Sequence, residues 1–242
     1  MPNWAHSRIE IEGAKEVLDE IIKTIEVLDD DGKFADHDLS RVKPMPEVVK
    51  NTESPAATSP EPNENWVRML ANGEMTQEWF DELCENNRKR YEGNQKALAE
   101  TGYTDWYNWA VANWGTKWAP EVADLIRNDG NIVIHTNSAW SPPIGILKAL
   151  TEAFDVTVTC SYEEEGMGFV GACVLRKGEF LFDECYDFEP ESLPEPFSTR
   201  LSELSKKRDE EDEDEFYEKM SDIYMEVSDY LWEKTEKVEF VS

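Results

Sequence analysis

Residues His6 to Ile11 alternate, with Ile9 and Ile11 on one side and Arg8, Glu10 and Glu12 on the other, before Gly13. A period of two predicts a strand with one buried face. From Ala14 to Leu28 the period lengthens, and Val17, Leu18, Ile21, Ile22, Ile25 and Leu28 fall at helical spacing. An amphipathic helix is expected there, ended by Gly32 after three aspartates. Phe34 then leads into a loop carrying Asp36, His37 and Asp38, and the prolines of Val42-Lys-Pro-Met-Pro46 exclude a helix interior.

The segment from Asn51 to Asn65 is rich in Thr, Ser, Pro, Ala and Glu and reads as a linker or surface loop. Thr76 has N-cap chemistry for a helix to about Glu100 that turns Trp79, Phe80, Leu83 and Cys84 toward a core and breaks near Gly93. A short aromatic helix, Asp105 to Asn113, stops at Gly115. Asn131 to Thr136 predicts a buried strand, and Pro142-Pro143 is suited to opening a helix from Ile144 to Phe154. Val156–Cys160, Met167–Leu175 and Glu179–Phe182 are strand-like runs joined as hairpins. Prolines 190, 194 and 196 mark a linker, and Phe216, Met220, Ile223, Tyr224, Val227 and Leu231 predict a last helix with an apolar stripe. The fold class is therefore α+β, with helices on one face of a mostly antiparallel sheet. Its expected organisation is a first half-domain at 1–50, a helical insertion at 51–104, a second half-domain at 105–188 and an acidic linker and helix at 189–242.

Composition changes this picture in one respect. With 40% hydrophobic residues, 9 Trp, 10 Phe and 8 Tyr in 242 residues, the chain can build a core. Yet 53 acidic against 24 basic residues leave a formal charge of −29. Such a field repels phosphate and disfavours direct binding to duplex nucleic acid, while favouring a basic protein partner. No run of about 20 apolar residues is present and no basic leader precedes an apolar one, which predicts a soluble, unexported, cytoplasmic protein. Cys84, Cys160, Cys173 and Cys185 are scattered, as reduced thiols in a cytosol would be.

Several phrases stand out: Met1-Pro-Asn-Trp4, Pro44-Met-Pro-Glu47, Trp114-Gly-Thr-Lys-Trp118, Ala139-Trp-Ser-Pro-Pro143, Tyr162-Glu-Glu-Glu-Gly166 and Phe169-Val-Gly171. In these, in this order, residues 1 to about 175 resemble the YubB-type ferredoxin-like domain family of phage and plasmid proteins. The resemblance implies a ferredoxin-like fold and a mobile-element context, and no chemistry. Ala5 stands where family members often carry Cys, the insertion from Asn51 to Thr104 is long, and the acidic tail lies outside the pattern.

The candidate sites are few. Gly166-Met-Gly-Phe-Val-Gly171 fits a dinucleotide fingerprint by its letters, but the fingerprint needs a following helix and Ala172-Cys-Val-Leu175 reads as strand. Glu163 and Glu165 share one strand face opposite Glu164, and with His135 they could form a metal or acid–base site; a solvated strand end explains the same letters. The aspartates from Asp29 to Asp38 lack calcium-loop spacing, and His37 is one of only three histidines. Ser141 lacks the glycines of a nucleophile elbow, and no cysteine has a basic neighbour. No catalytic residue, metal ligand or cofactor is assigned. Trp114, Trp118 and Trp140 read as core aromatics that wedge two layers, with a ligand-stacking platform as the other reading. Asp209, Glu210, Glu211, Asp212, Glu213, Asp214, Glu215 and Glu218 form the expected partner-binding surface.

Three classes of function follow. The first is a non-enzymatic acidic protein of a mobile element that engages a basic, nucleic-acid-handling host protein as a DNA mimic would. The second is ligand or single-stranded nucleic-acid binding by the sheet, using its aromatics with Arg88-Lys-Arg90 or Lys117. The third is an enzyme, which needs a concave site joining His135 to Glu163 or Glu165.

Overall fold

β1 (Trp4–Glu12) follows its alternation, burying Ala5, Ser7, Ile9 and Ile11 and turning Trp4, His6, Arg8 and Glu10 the other way. These elements belong to a computed structural model that describes residues 3–208 and 212–238. α1 (Lys15–Ile25) presents Leu18, Ile21 and Ile25 to the core. It ends sooner than its apolar period suggests, because Glu26–Leu28 forms β2, paired with β3 (Phe34–His37). The expected loop at Asp36 and His37 is thus a strand. Gly32, at φ 74°, serves the hairpin turn and not a helix end. Asp29 closes that turn by accepting hydrogen bonds from the amides of Asp31 and Lys33.

After residue 113 come β4 (Glu121–Arg127), β5 (Asn131–Ala139), α6 (Ile144–Ala153) and β6 (Thr157–Glu164). With β1 and α1 they run strand-helix-strand-strand-helix-strand, and the strands lie side by side as β6-β1-β5-β4, each antiparallel to its neighbour. This is the ferredoxin-like arrangement. β7 (Phe169–Arg176) and β8 (Glu179–Asp187) extend the sheet beyond β6, so the expected α+β class holds. β4 has no counterpart in the sequence reading. A bulge between Val122 and Asp124 breaks its alternation, and it lies at the sheet edge, where one flank needs no partner.

On one face of the sheet Ile9, Ile11, Ile132, Ile134 and Val158 are fully buried, as are Leu18 and Ile21 of α1 and Ile146, Leu147 and Leu150 of α6. The opposite face is covered in part. α7 (Phe197–Lys206) occupies what reads in sequence as linker, and α8 (Glu213–Thr235) carries the foreseen stripe. Phe216, Ile223, Tyr224, Val227 and Leu231 join Phe197, Leu201 and Leu204 over Val170 and Ala172 of β7. The Tyr224 hydroxyl donates to the Phe169 carbonyl, and the Lys234 ammonium pairs with Glu184.

Residues 44–113 form a second compact unit, containing α2 (Glu47–Lys50), α3 (Glu64–Ala71), α4 (Gln77–Thr101) and most of α5 (Trp106–Trp114). Thr76 caps α4 by accepting from the Trp79 amide. The helix runs through Gly93 without a break. Its expected apolar face is not a core: Trp79 is 47% exposed, and Asn94 and Ala97 are the buried positions. Asn94 organises the unit instead, accepting from the Ala57 amide and donating to the carbonyls of Glu53 and Thr104. Two loops, at Glu53–Ala57 and at Thr104, are thereby tied to one helix.

Leu231 is fully buried on the inner face of α8, so Leu231→Ala should cost about 2–5 kcal/mol. Equilibrium denaturation of the whole chain reads this directly. Gly171→Ala should also destabilise, by about 1–3 kcal/mol, because a Cβ there would come within 2.4 Å of the buried Tyr162 ring.

Candidate functional site

Because β1 lies between β5 and β6, its outward side chains stand in rows with theirs. Asn137, His6 and Glu163 make one row, and His135, Arg8 and Ser161 the next. A sheet face under a helix is usually apolar; this one is polar because α8 seats its apolar stripe on β7 and only overhangs β1 and β6. Ser228, Asp229 and Trp232 of α8 form the overhang, and they enclose with the two rows a groove of ≈ 340 Å³. A second hollow of ≈ 460 Å³ continues along β1, past Arg8 and Trp232 toward Glu10, Glu12, Thr159 and Glu236.

The groove is held by specific contacts. Arg8 lies over the Trp232 ring with its guanidinium carbon 3.9 Å from the centroid, and it pairs with Glu10 at 3.2 Å. Stacking on the indole and the ion pair together fix the guanidinium plane. His6 Nδ1 and Asn137 Oδ1 are 2.7 Å apart, which orients the imidazole. Burial pushes the Glu163 carboxyl above the usual glutamate range; His6 opposes this and Glu165 adds to it.

The residues singled out in the sequence are distributed as follows. His135 and Glu163 do line one groove, but β1 stands between their strands, so the two are not adjacent. Glu164 is buried and holds the β6–β7 turn, its carboxylate accepting from the amides of Gly166 and Met167. Gly166 to Gly171 form that turn and the start of β7, where Gly171 makes room for Tyr162. Among the described residues no group of three or more His, Cys, Asp or Glu is placed to hold a metal. Cys160 and Cys173 face each other across β6 and β7, fully buried, and contact with Cys173 together with burial raises the Cys160 thiol well above its usual range.

The three tryptophans differ from one another. Trp114 is buried and its indole N–H donates to the Lys43 carbonyl at 2.8 Å. Trp140 is instead 41% exposed at φ 72°, and Trp118 is half-buried, with the Lys117 ammonium 4.6 Å from the Trp118 ring and 4.7 Å from the Trp140 ring. Trp4 meets Trp118 edge-on at 6.4 Å. The expectation of a shared core role is therefore corrected: bulk beside Gly and Pro fits Trp114 alone, and the other two clamp a lysine at the surface. Arg88 and Lys89 pair with Glu85, and Arg90 with Glu53, which leaves no concentrated basic patch on α4.

Of the acidic run, Asp209, Glu210 and Glu211 lie outside the described residues. Asp212 caps α8, Glu213, Asp214 and Glu215 fill its first turn, and Glu218 is exposed one turn later. Sequence reasoning did not assign His6, Arg8, Asn137, Asp229 or Trp232 to a site. The usable signal was the unbroken polar series on one side of β1, which contains one of only three histidines.

With this topology in place, comparison with known proteins is informative for the second half. Residues 113–224 match the model of a family described as the ferredoxin-like domain in Api92-like protein. That segment is similar to the Api92 ferredoxin-like domain. It takes in β4 to β8, α6, α7 and the beginning of α8. A crystal structure of the protein api92 from Yersinia pseudotuberculosis covers 77% of this chain and 98% of its own at 12% identity, with a TM-score of 0.42. No curated protein sequence matches the chain. No helix among the described residues is long and apolar enough to cross a membrane.

A carboxyl-carbon NMR titration should place the Glu163 midpoint above ~4.3, the ordinary glutamate value, and His6→Asn should raise it further by removing the opposing charge. The folded state then holds a proton that the unfolded state releases, so this group's contribution to stability falls as pH rises through the folded midpoint. Glu163→Gln should remove that part of the pH dependence.

Proposed function

We propose that the chain is a non-enzymatic, strongly acidic binding protein of a mobile genetic element, acting in the cytoplasm of a bacterial host on a basic, nucleic-acid-handling protein. The observation that carries this reading is the outer face of α8. Glu215, Glu218, Asp222, Glu226, Asp229, Glu233 and Glu236 recur every three or four residues and all are exposed. At 1.5 Å per residue they form a row about 30 Å long with a carboxylate every ~5 Å. The inner face of the same helix is locked onto the sheet, so the row has a fixed direction and does not trail as a flexible tail. Lysine and arginine side chains placed to meet a line of phosphates would meet these carboxylates instead.

Charge distribution supports the same reading. Residues 179–242 hold 22 acidic and 7 basic side chains, a net of −15, about half the total in roughly a quarter of the chain. Two members of the row are held by neighbours: Glu215 pairs with Lys219 at 2.9 Å, and Glu226 forms a bidentate pair with Arg200 that lowers its carboxyl below the usual range. The mobile-element context rests on the sequence resemblance, and the partner class on charge and geometry.

Capture from a bacterial lysate at low salt should recover a DNA- or RNA-handling protein whose binding weakens steeply as salt rises and is displaced by duplex DNA. Replacing Glu215, Glu218, Asp222 and Glu233 with their amides should abolish capture with little change in melting temperature. A partner retained equally by that variant, or held independently of salt, would overturn the reading.

A further inference from the structure

The groove under α8 is unlike the acidic row above it, because its charges are sorted by side. Toward β1 it presents the Arg8 guanidinium, with the His135 ring of β5 beside it as a hydrogen-bonding group, and toward β6 and α8 it presents Glu163 and Asp229. Strands are spaced about 4.8 Å apart, so the positive and negative sides lie on the order of 5–10 Å from each other. Asn137, Ser161 and the oriented His6 ring add further hydrogen-bonding groups to the groove. Among the described residues neither Glu163 nor Asp229 is in an ion pair, and the His135 ring has no hydrogen-bond partner. Arg8 has five N–H donors, and its bond to Glu10 uses one.

We propose that this groove is a binding site for a small zwitterion of amino-acid to dipeptide size, its carboxylate meeting Arg8 and His135 and its ammonium meeting Glu163 and Asp229. The volume of ≈ 340 Å³ corresponds to about ten waters, room for such a molecule with some of its hydration retained. A simple anion would face Glu163 and Asp229 within the groove and a net charge of −29 outside it. A simple cation would face Arg8, held in place on Trp232. A molecule carrying both charges meets each with its opposite, and a charge-assisted hydrogen bond at either end is about twice as strong as a neutral one. The site shares Asp229 with the outer row at the edge of α8, while Arg8, His135 and Glu163 on the open sheet face belong to the groove alone.

The test is calorimetric titration of the full chain with the free L-amino acids and glycylglycine, followed by the methyl ester and the N-acetyl form of the tightest binder. The parent zwitterion should bind at one site per chain and each blocked form at least about tenfold more weakly. Glu163→Gln and Asp229→Asn should each weaken the zwitterion about tenfold without weakening the N-acetyl form, which as a simple anion loses a like charge in either variant. Asp229 is on the exposed side of α8, so its variant keeps the test valid should Glu163→Gln disturb the sheet. Absence of binding across the whole panel would overturn the proposal. So would blocked forms that bind as well as the parent, or affinity unchanged in both variants.

Discussion

The seating of α8 on β7 is the contact on which the rest of the molecule's surface chemistry depends. Val227 and Leu231 are fully buried against Val170 and Ala172, and Tyr224 anchors the helix further by bonding the Phe169 carbonyl. An exposed apolar stripe of this length would need a partner of some kind. Because the chain supplies that partner itself, two other features acquire definite positions. The carboxylates on the far side of α8 are aimed outward along one line, and the side chains on its flank are suspended over β1 and β6.

Those two features obey different electrostatic rules. Carboxylates on the outer row lie in water, where each pairwise repulsion is small and screened by salt, so the row costs the fold little. The acids of its first turn are further favoured by the positive end of the helix, at about 0.3–1 kcal/mol each. Inside the groove the dielectric is lower, and Glu163 responds by holding its proton more tightly. The guanidinium of Arg8 tolerates the same setting because Trp232 and Glu10 replace part of its hydration. One helix thus carries a solvated polyanion on one side and the wall of a partly desolvated, mixed-charge cleft on the other.

How much of this could be read from the chain depends on the range of the interaction concerned. The strand at β1, the cap at Thr76 and the helix after Pro143 are written in local periodicity and capping, and they fall where the sequence places them. Glu26–Leu28 continues a helical pattern of apolar residues yet forms a strand, because pairing with β3 and the turn at Asp29 outweighs a weak local preference. α4 misleads in the opposite sense: Trp79 and Leu83 have core chemistry, but Asn94 is what the unit closes on. The groove was least legible. Its rows exist only once β1 is known to lie between β5 and β6, and Asp229 and Trp232 reach them from more than 60 residues further along the chain.

The motif phrases look different in this light. Gly115, at φ 83°, approaches Pro142, Ile144 and Gly145 so closely that a Cβ would meet backbone atoms at 3.2–3.3 Å. The Thr116 hydroxyl donates to the Ala139 carbonyl and the Ser141 hydroxyl to that of Gly115, so the Trp114–Trp118 and Ala139–Pro143 phrases are stitched to each other by side-chain hydroxyls bonding main-chain carbonyls. Their joint effect is to fix the end of β5 and the entry to α6. His135 and Asn137 lie on that strand, four and two residues before Ala139. The phrases therefore act on the groove at one remove: they set the register that brings Asn137 beside His6 and His135 beside Arg8, while the groove's own side chains come from parts of the sequence that no motif marks.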